Sequence, residues 1–262
     1  MELQGATVVI TGGSRGIGRG LAEAFAGQGC NIVNGDLLGI SAVAEAWAET
    51  AAAVTALGVT ATALDVDVRE PAQCDALVAH ALNQTGRLDV VCANAGVIGL
   101  GLIQDFAPEE FDRIMDINVK GVFLTCKAAI AHFVEQRHGC FVNTASIAGK
   151  RGGPRAAAYC ASKFAVVGFT QSLAMEMAPH GVRANSICPG YLGTSMWLND
   201  ILGPRMEAGQ DPKEAFEKMS RERVPLGRDQ TPADIGQAAV YLAQADNVTG
   251  IALNVAGGLE VW

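Results

Sequence analysis

Three side chains near the middle of the chain have the types and the spacing of a proton-transfer site. Tyr159 and Lys163 are four positions apart, so they share one face if this part of the chain is helical. A free phenol has a pKa of about 10, and a lysine ammonium one turn away is expected to lower that pKa toward neutrality. Ser146 follows the apolar run at 140–145 and can hydrogen-bond a substrate oxygen. These residues indicate proton exchange with an alcohol or a carbonyl, the alternative being an ordinary exposed helix face.

A glycine-rich turn near the N-terminus connects a predicted strand to a predicted helix. Residues 6–10 are apolar and β-branched, Thr-Gly-Gly-Ser-Arg-Gly-Ile-Gly follows at 11–18, and residues 19–27 have a helical pattern. Glycines in this context let a pyrophosphate approach the helix N-terminus, where free N–H groups and the helix dipole favour an anion. The alternative is a tight turn without a ligand, but the flanking strand and helix favour dinucleotide binding.

Asp36 ends the second predicted strand, 18 positions after Gly18. An acidic residue about 20 positions beyond such a turn binds the adenosine ribose hydroxyls, and its charge repels a 2′-phosphate. No arginine or lysine lies between Arg19 and Arg69 to offset that charge. The sequence therefore favours NAD over NADP, with Arg15 as the one residue that argues otherwise.

Strand and helix patterns alternate along the whole chain. Strands are predicted at 6–10, 31–35, 59–66, 88–92, 140–145, 183–188 and 251–255, and helices at 19–27, 41–57, 70–84, 108–136, around 159–178 and at 232–244. The pattern at 108–136 is interrupted at 117–119, where Asn118 needs a partner that a local bend or a water site would supply. No linker or repeat interrupts the alternation. The predicted fold class is α/β, one domain over 1–262 with a doubly wound parallel sheet, the Rossmann fold.

Residues 191–229 break this regularity. Glycines, prolines and mixed charge interrupt any core pattern there, and Asp211 is predicted to cap a short helix that begins at Pro212. A long insertion after a strand usually binds something. The segment is therefore predicted to be a substrate-binding lid after the sixth strand.

Composition excludes several classes of function. The net charge is -8 and no basic run contains aromatic residues, so neither nucleic acid nor an anionic membrane is an expected partner. We see no N-terminal leader and no apolar segment of about 18 residues, and expect a soluble, cytoplasmic protein. Seven dispersed cysteines and four histidines lack disulfide or metal-ligand spacing, so no metal is expected. Most of the cysteines are expected to be buried, and each histidine to lie near a helix end in a surface or capping role.

In type, order and spacing, these motifs resemble the short-chain dehydrogenase/reductase family over essentially the whole chain. The resemblance implies that Tyr159 transfers the proton and that Lys163 lowers the pKa of Tyr159 and binds the nicotinamide ribose. It also implies that Ser146 holds the substrate oxygen and that Asn118 holds a water that relays protons. It also implies a site for NAD formed by Gly12, Ser14, Arg15, Gly16, Ile17, Gly18, Asp36, Asp65, Val66, Asn94, Ala95, Gly96, Tyr159, Lys163, Pro189, Gly190, Leu192 and Thr194. Ala93 and Ala256 depart from the family, which often has Asn and Asp at these structural positions.

Residues 189–197 and 223–228 resemble those of bacterial dehydrogenases for polyols, sugar alcohols and acetoin or 2,3-butanediol. A small secondary alcohol or ketone is thus the expected substrate. One alternative is a 3-oxoacyl-thioester reductase, for which Lys127 and Arg137 could contact an acidic carrier protein, although Asp36 disfavours the NADPH such enzymes commonly use. The other is an NAD-sensing protein without turnover, which has no use for a paired Tyr159 and Lys163. The resemblance further implies a homotetramer that pairs the long helices and packs the C-terminal strands.

The substrate wall is expected to be largely apolar. Its predicted members are Ile98, Leu100, Met196, Trp197, Leu198 and Met206. Against this, Lys150, Arg151 and Arg155 lie between Ser146 and Tyr159 and could clamp an anionic substrate group. The alternative, that these cations are solvated or make subunit contacts, favours neutral diols and hydroxyketones as substrates.

Overall fold

A computed structural model of the protein describes residues 1–203 and 211–262, apart from the side chain of Asp200. Seven strands lie in the described part: β1 Thr7–Thr11, β2 Asn31–Asp36, β3 Ala61–Asp65, β4 Val90–Ala93, β5 Gly139–Thr144, β6 Val182–Pro189 and β7 Ala252–Val255. The helices are α1 Gly16–Ala26, α2 Ser41–Thr55, α3 Pro71–Thr85, α4 Pro108–Met115, α5 Gly121–Gln136, α6 Ala157–Met177, α7 Pro212–Arg223 and α8 Pro232–Gln244.

The strands form one parallel sheet in the order β3-β2-β1-β4-β5-β6-β7. The order reverses direction between β1 and β4, and such a switch point opens a crevice at the carboxyl ends of the strands. The fold is therefore the predicted doubly wound, Rossmann-type sheet, and its ligand crevice lies between the glycine turn after β1 and the end of β4.

Hydrophobic side chains cover both faces of the sheet. Val9, Phe133 and Phe141 belong to the core on one face, with the two phenyl rings 5.0 Å apart in an edge-on contact. Val8 and Phe25 belong to the core on the opposite face. Successive residues of a strand point to opposite faces, so the continuous apolar run of β1 fills both cores.

The structure follows the predicted elements to within a few residues at most ends. The helix at 232–244 has the predicted bounds, and the Asp211 carboxylate caps α7 by accepting a hydrogen bond from the Lys213 backbone N–H. A π-helical turn, Asp116–Lys120, joins α4 to α5 at the predicted bend. That run, Pro108–Gln136, is 29 residues long and apolar enough to cross a membrane by length and composition, which the sequence analysis overlooked. It is a core helix here, since Phe133 packs on the sheet.

Expectations about two residue types can be compared with the structure. All seven cysteines are buried and free, where burial was expected for most of them. His80 and His132 lie in the C-terminal halves of α3 and α5, His138 follows the end of α5, and His180 ends the turn Ala178–His180. A surface role does not hold for the His132 Nε2, which is buried, and the His80 Nε2 lies 3.2 Å from the Thr62 hydroxyl.

Candidate active site

The glycine turn after β1 is shaped by its backbone. Gly12 has φ +69°, its N–H donates to Gly35, and the Gly13 N–H donates to the Asn34 side chain. A Cβ at Gly18 would overlap the Gly12 carbonyl oxygen, so only glycine fits there. No side chain caps the N-terminus of α1. Its first N–H groups therefore remain available to an anion, as the sequence predicted.

Asp36 lies beside this turn at the end of β2. Its carboxylate accepts hydrogen bonds from the Ser14 and Leu37 N–H groups, at 3.1 and 2.9 Å. Ser14 itself is buried, and its hydroxyl accepts a hydrogen bond from Asn34. Asp36 is thus placed to meet a ribose, whereas Ser14 supports the turn from behind and does not reach the cleft wall.

At the end of β3, only one of the two predicted cofactor residues, Asp65 and Val66, lies in the cleft wall. Val66 lines the cleft, but Asp65 does not, and its carboxylate accepts from the Gly39 N–H. Asp67 lines the cleft instead and forms an ion pair with Arg69, whose hydrogen bond lowers the pKa of that carboxyl. The only sequence signal for Asp67 is its position just beyond the strand end, where the chain turns over the sheet edge.

Asn94 connects three strands at the crevice. Its Nδ2 donates to the Thr11 and Gly12 carbonyls, and its Oδ1 accepts from the Thr144 hydroxyl. These contacts join the ends of β1, β4 and β5. Ala95 and Gly96 then follow along the cleft wall.

Ser146, Tyr159 and Lys163 meet at the carboxyl end of β5. Ser146 begins a 3-10 turn, Ile147–Gly149, and its side chain forms a hydrogen bond with Tyr159. Tyr159 and Lys163 lie one turn apart on α6, as predicted, and the Lys163 Nζ donates to the Thr144 carbonyl at 2.9 Å. All three line the cleft, so the structure brings the predicted proton-transfer residues together.

The predicted direction of the Tyr159 pKa is wrong for the protein as described. Burial raises the pKa of the Tyr159 phenol to about 12, although the hydrogen bond from Ser146 partly offsets this. Burial also lowers the pKa of the Lys163 ammonium to about 8. Lys163 is directed to a backbone carbonyl, and its Nζ is 5.7 Å from the centre of the Tyr159 ring. Desolvation therefore outweighs the charge of Lys163, and Tyr159 is a protonated phenol.

Asn118 lies on the π-helical turn behind these residues and is fully buried. Its Nδ2 donates to the Val97 carbonyl and the Ser162 hydroxyl, and its Oδ1 accepts from the Val97 N–H. Both donors are used, so the predicted partner is protein. A proton-relaying water would have to bind the remaining oxygen lone pair or the backbone.

The chain after β6 continues the wall toward the substrate end. The Gly190 N–H donates to the Val255 carbonyl, and Leu192 forms a parallel bridge with Gln230. A Cβ at Gly16 would lie 3.5 Å from the Thr194 methyl group. Pro189, Gly190, Leu192 and Thr194 all line the cleft, close to where the glycine turn ends.

Aromatic contacts organise the segment beyond Thr194. The Tyr191 and Trp197 rings are 4.6 Å apart, and Trp197 is 5.5 Å from Phe216 on α7. Of the predicted substrate wall, the structure places Ile98, Leu100, Met196 and Trp197 in the cleft, but not Leu198. Met206 lies outside the described residues. The wall also contains Ile201, Leu202, Met219 and Arg223, which the sequence analysis did not identify.

The three cations between Ser146 and Tyr159 have different positions. Lys150 donates to the Ala252 carbonyl at 2.7 Å, and Arg155 is exposed with φ +65°, and neither lines the cleft. Arg151 lines it and pairs with Glu260 at 3.4 Å. A clamp made of all three cations is therefore not formed.

A single cleft of about 1040 Å³ connects these parts. Its wall includes sixteen of the eighteen predicted cofactor residues, namely Gly12, Arg15, Gly16, Ile17, Gly18, Asp36, Val66, Asn94, Ala95, Gly96, Tyr159, Lys163, Pro189, Gly190, Leu192 and Thr194. The uncapped helix, the glycine cradle and Asp36 fit a dinucleotide that begins over β2 and ends at Tyr159. This fold and site define the class of nicotinamide-dependent oxidoreductases.

Comparison with known proteins agrees with this class. The profile of the family described as short chain dehydrogenase matches residues 6–201. The oxidoreductase UcpA of Salmonella typhimurium is 38% identical over 98% of this chain and 95% of its own length. Galactitol 2-dehydrogenase of Agrobacterium fabrum is 35% identical over 98% of each chain. NAD⁺-bound xylitol dehydrogenase superposes with a TM-score of 0.89 at 31% identity, covering 98% of this chain and 100% of the other.

The chain belongs to the short-chain dehydrogenase/reductase family. It is an NAD(H)-dependent oxidoreductase that acts on CH–OH groups.

Proposed function

We propose that the protein interconverts a small secondary alcohol, such as a polyol, a vicinal diol or a hydroxyketone, and the corresponding ketone. The observation that carries this proposal is the Ser146–Tyr159 hydrogen bond beside buried Lys163, in the same cleft as the glycine turn. The similarity to galactitol and xylitol dehydrogenases supports this substrate class.

In the proposed reaction, Ser146 and Tyr159 both hydrogen-bond the reacting oxygen of the substrate. Burial keeps Tyr159 protonated, and it donates that proton to the carbonyl oxygen during reduction. Oxidation is the reverse step, in which the Tyr159 phenolate accepts the proton of the alcohol. Lys163 holds its ammonium against the Thr144 carbonyl, from which it can also contact a ribose. NAD, when bound, supplies the hydride acceptor, and NADH the hydride donor. Asn118 fixes the chain at Val97 and keeps the wall behind the reacting atoms in place.

The alternatives gain no support from the described residues. Lys127 lies over the Phe123 ring and Arg137 donates to the Pro179 carbonyl. Both side chains thus make contacts within the protein, and neither contact favours an acidic carrier protein as the partner. A sensor without turnover would not need the hydrogen bond between Ser146 and Tyr159. The remaining parts of the proposal are a cytoplasmic homotetramer, supported by exposed Phe123 on α5 and exposed Phe164 on α6, and a substrate lid at 191–229, supported by the cleft contacts of Trp197.

A panel of secondary alcohols and ketones, followed by NADH absorbance, tests the proposal. We expect oxidation of secondary diols or polyols with NAD, and reduction of their ketones with NADH. Light scattering of the purified protein is expected to give the mass of four chains. An enzyme that binds NADH but turns over no secondary alcohol or ketone contradicts the proposed function.

A further inference from the structure

The substrate end of the cleft has a charge opposite to that of the whole protein. The chain has a net charge of -8. The acidic residues that the described wall contains, Asp36 and Asp67, both lie at the end formed by β2 and β3. Toward the substrate end the wall contains Arg113, Arg151 and Arg223. Arginines thus lie at the substrate end of the described wall, and its carboxylates lie at the other end.

Two of these arginines are neutralised within the protein. Arg113 forms two hydrogen bonds with the Glu110 carboxylate, at 2.6 and 2.7 Å. Arg151 pairs with buried Glu260. The Arg223 side chain forms no ion pair or hydrogen bond within residues 1–203 and 211–262. Among these described residues, nothing compensates the positive charge that Arg223 brings to the wall.

The place of Arg223 in the fold separates it from the adenosine end. The next residue, Val224, packs against Gly257, and the Leu226 N–H donates to the Gly257 carbonyl just beyond β7. Strand β7 is at the opposite edge of the sheet from β2 and β3. Arg223 thus lies on the substrate side of Tyr159, one helical turn from Met219, which also lines the cleft.

Stabilisation of the helix C-terminus does not explain why this particular arginine faces the cleft. Arg221 and Arg223 both lie in the last turn of α7, where either cation interacts favourably with the helix dipole. Both are exposed, but Arg221 does not line the cleft. Arg221 is therefore a matched control with the same charge, helix and turn.

We propose that Arg223 binds an oxyanion on the substrate, such as a carboxylate, a sulfonate or a phosphate, and that the preferred substrate is a secondary alcohol carrying this group. The inference rests on the proposed function and narrows its substrate class. A guanidinium forms paired, charge-assisted hydrogen bonds with such groups. Neutral alcohols remain substrates with higher KM.

The test compares each of a series of hydroxycarboxylates of increasing chain length with its own primary amide. For at least one length, we expect the wild-type kcat/KM of the carboxylate to exceed that of the amide by about tenfold or more, mainly through KM. Sodium chloride should reduce this ratio. Arg223→Gln should bring it close to one, Arg223→Lys should retain part of it, and Arg221→Gln should leave it as in the wild type. The ratio is independent of the amount of folded enzyme, because both compounds are assayed with one preparation.

Three results overturn the inference alone: a wild-type ratio near one at every length, an equal loss in Arg221→Gln and Arg223→Gln, or an NADH Kd that weakens in Arg223→Gln as much as the carboxylate KM. The last result would assign Arg223 to the cofactor phosphates. Absence of turnover with every member of the series and with the neutral panel would overturn the proposed function, and this inference with it.

Discussion

The two ends of the cleft are built in different ways. At the cofactor end, backbone groups make the main contacts, as when the Gly12 N–H donates to Gly35 and the Ser14 N–H donates to Asp36. At the substrate end, side chains from separate elements hold one another, as when Trp197 contacts both Tyr191 and Phe216.

This difference separates the cleft residues whose identity is constrained from those that can be exchanged for others. A glycine turn whose Cβ positions are filled by other backbone atoms admits few substitutions, so the cofactor end is rigidly specified. An aromatic cluster can be repacked with other side chains of similar volume. Helix α7 and the residues beyond Thr194 are therefore where members of one fold can change substrate without disturbing cofactor binding.

The largest loss of turnover is expected for a substitution at Tyr159, where the cofactor end and the substrate end of the cleft meet. Tyr159→Phe removes the transferable proton and little else, so turnover should fall by about 10² to 10⁴-fold while NADH binding is retained. Steady-state kinetics and NADH fluorescence titration measure the two quantities. Near-normal turnover in this variant would contradict proton transfer by Tyr159.

A substitution that adds a methyl group to the glycine turn at the cofactor end should weaken cofactor binding. Gly18→Ala forces a Cβ against the Gly12 carbonyl oxygen, so the turn must shift away from the geometry that receives the cofactor, and the NADH Kd should rise by about tenfold or more. Gly168→Ala is the control, because a Cβ on that exposed helical residue meets no atom within 4 Å. Equal NADH affinities in the two variants would contradict a backbone-built cofactor end.

The dependence of the rates on pH tests the raised pKa of Tyr159. Oxidation requires the phenolate, and below a pKa of about 12 its fraction increases about tenfold per pH unit. Alcohol oxidation should therefore rise between about pH 6 and pH 9, while ketone reduction, which uses the protonated phenol, stays flat until Lys163 loses its proton near its pKa of about 8. A plateau of oxidation beginning near neutral pH would show a lowered pKa in the complex, as the sequence predicted.

A change at the substrate end should leave the cofactor end unaffected. Phe216 is buried beneath Trp197 and Gly193, so Phe216→Ala should release the aromatic cluster and raise substrate KM several-fold, with the NADH Kd unchanged. Phe216→Leu, which keeps most of the volume, should retain a KM closer to that of the wild type. A parallel loss of NADH affinity would show that the two ends are not independent.

The smallest effect concerns cofactor choice. The wild type should prefer NAD to NADP, and Asp36→Ser should reduce the preference by up to about fivefold, since a half-exposed charge contributes about 1 kcal/mol. Measuring kcat/KM with both cofactors for both proteins checks this. Equal use of NAD and NADP by the wild type would mean that Arg15, which also lines the cleft, outweighs Asp36.

Prediction from the sequence worked best where the signal is local. The strand, glycine turn and helix at the N-terminus, the bend at Asn118 and the cap at Asp211 each depend on neighbouring residues, and the structure has all of them. Asp65 was taken for a cleft residue in place of Asp67 because a strand pattern does not show where the chain turns beyond its last paired residue.

The sequence by itself determined the alternation of strands and helices and the one-turn spacing of Tyr159 and Lys163, since both follow from backbone periodicity and steric limits that act within a few residues. Only the tertiary structure decided the pKa of Tyr159, because desolvation depends on every element packed around the phenol. It also decided that Arg223 lines the cleft while Arg221 does not. These two arginines are two positions apart on one helix, and only the packing of α7 against the segment Met196–Leu202 places one of them in the cleft wall.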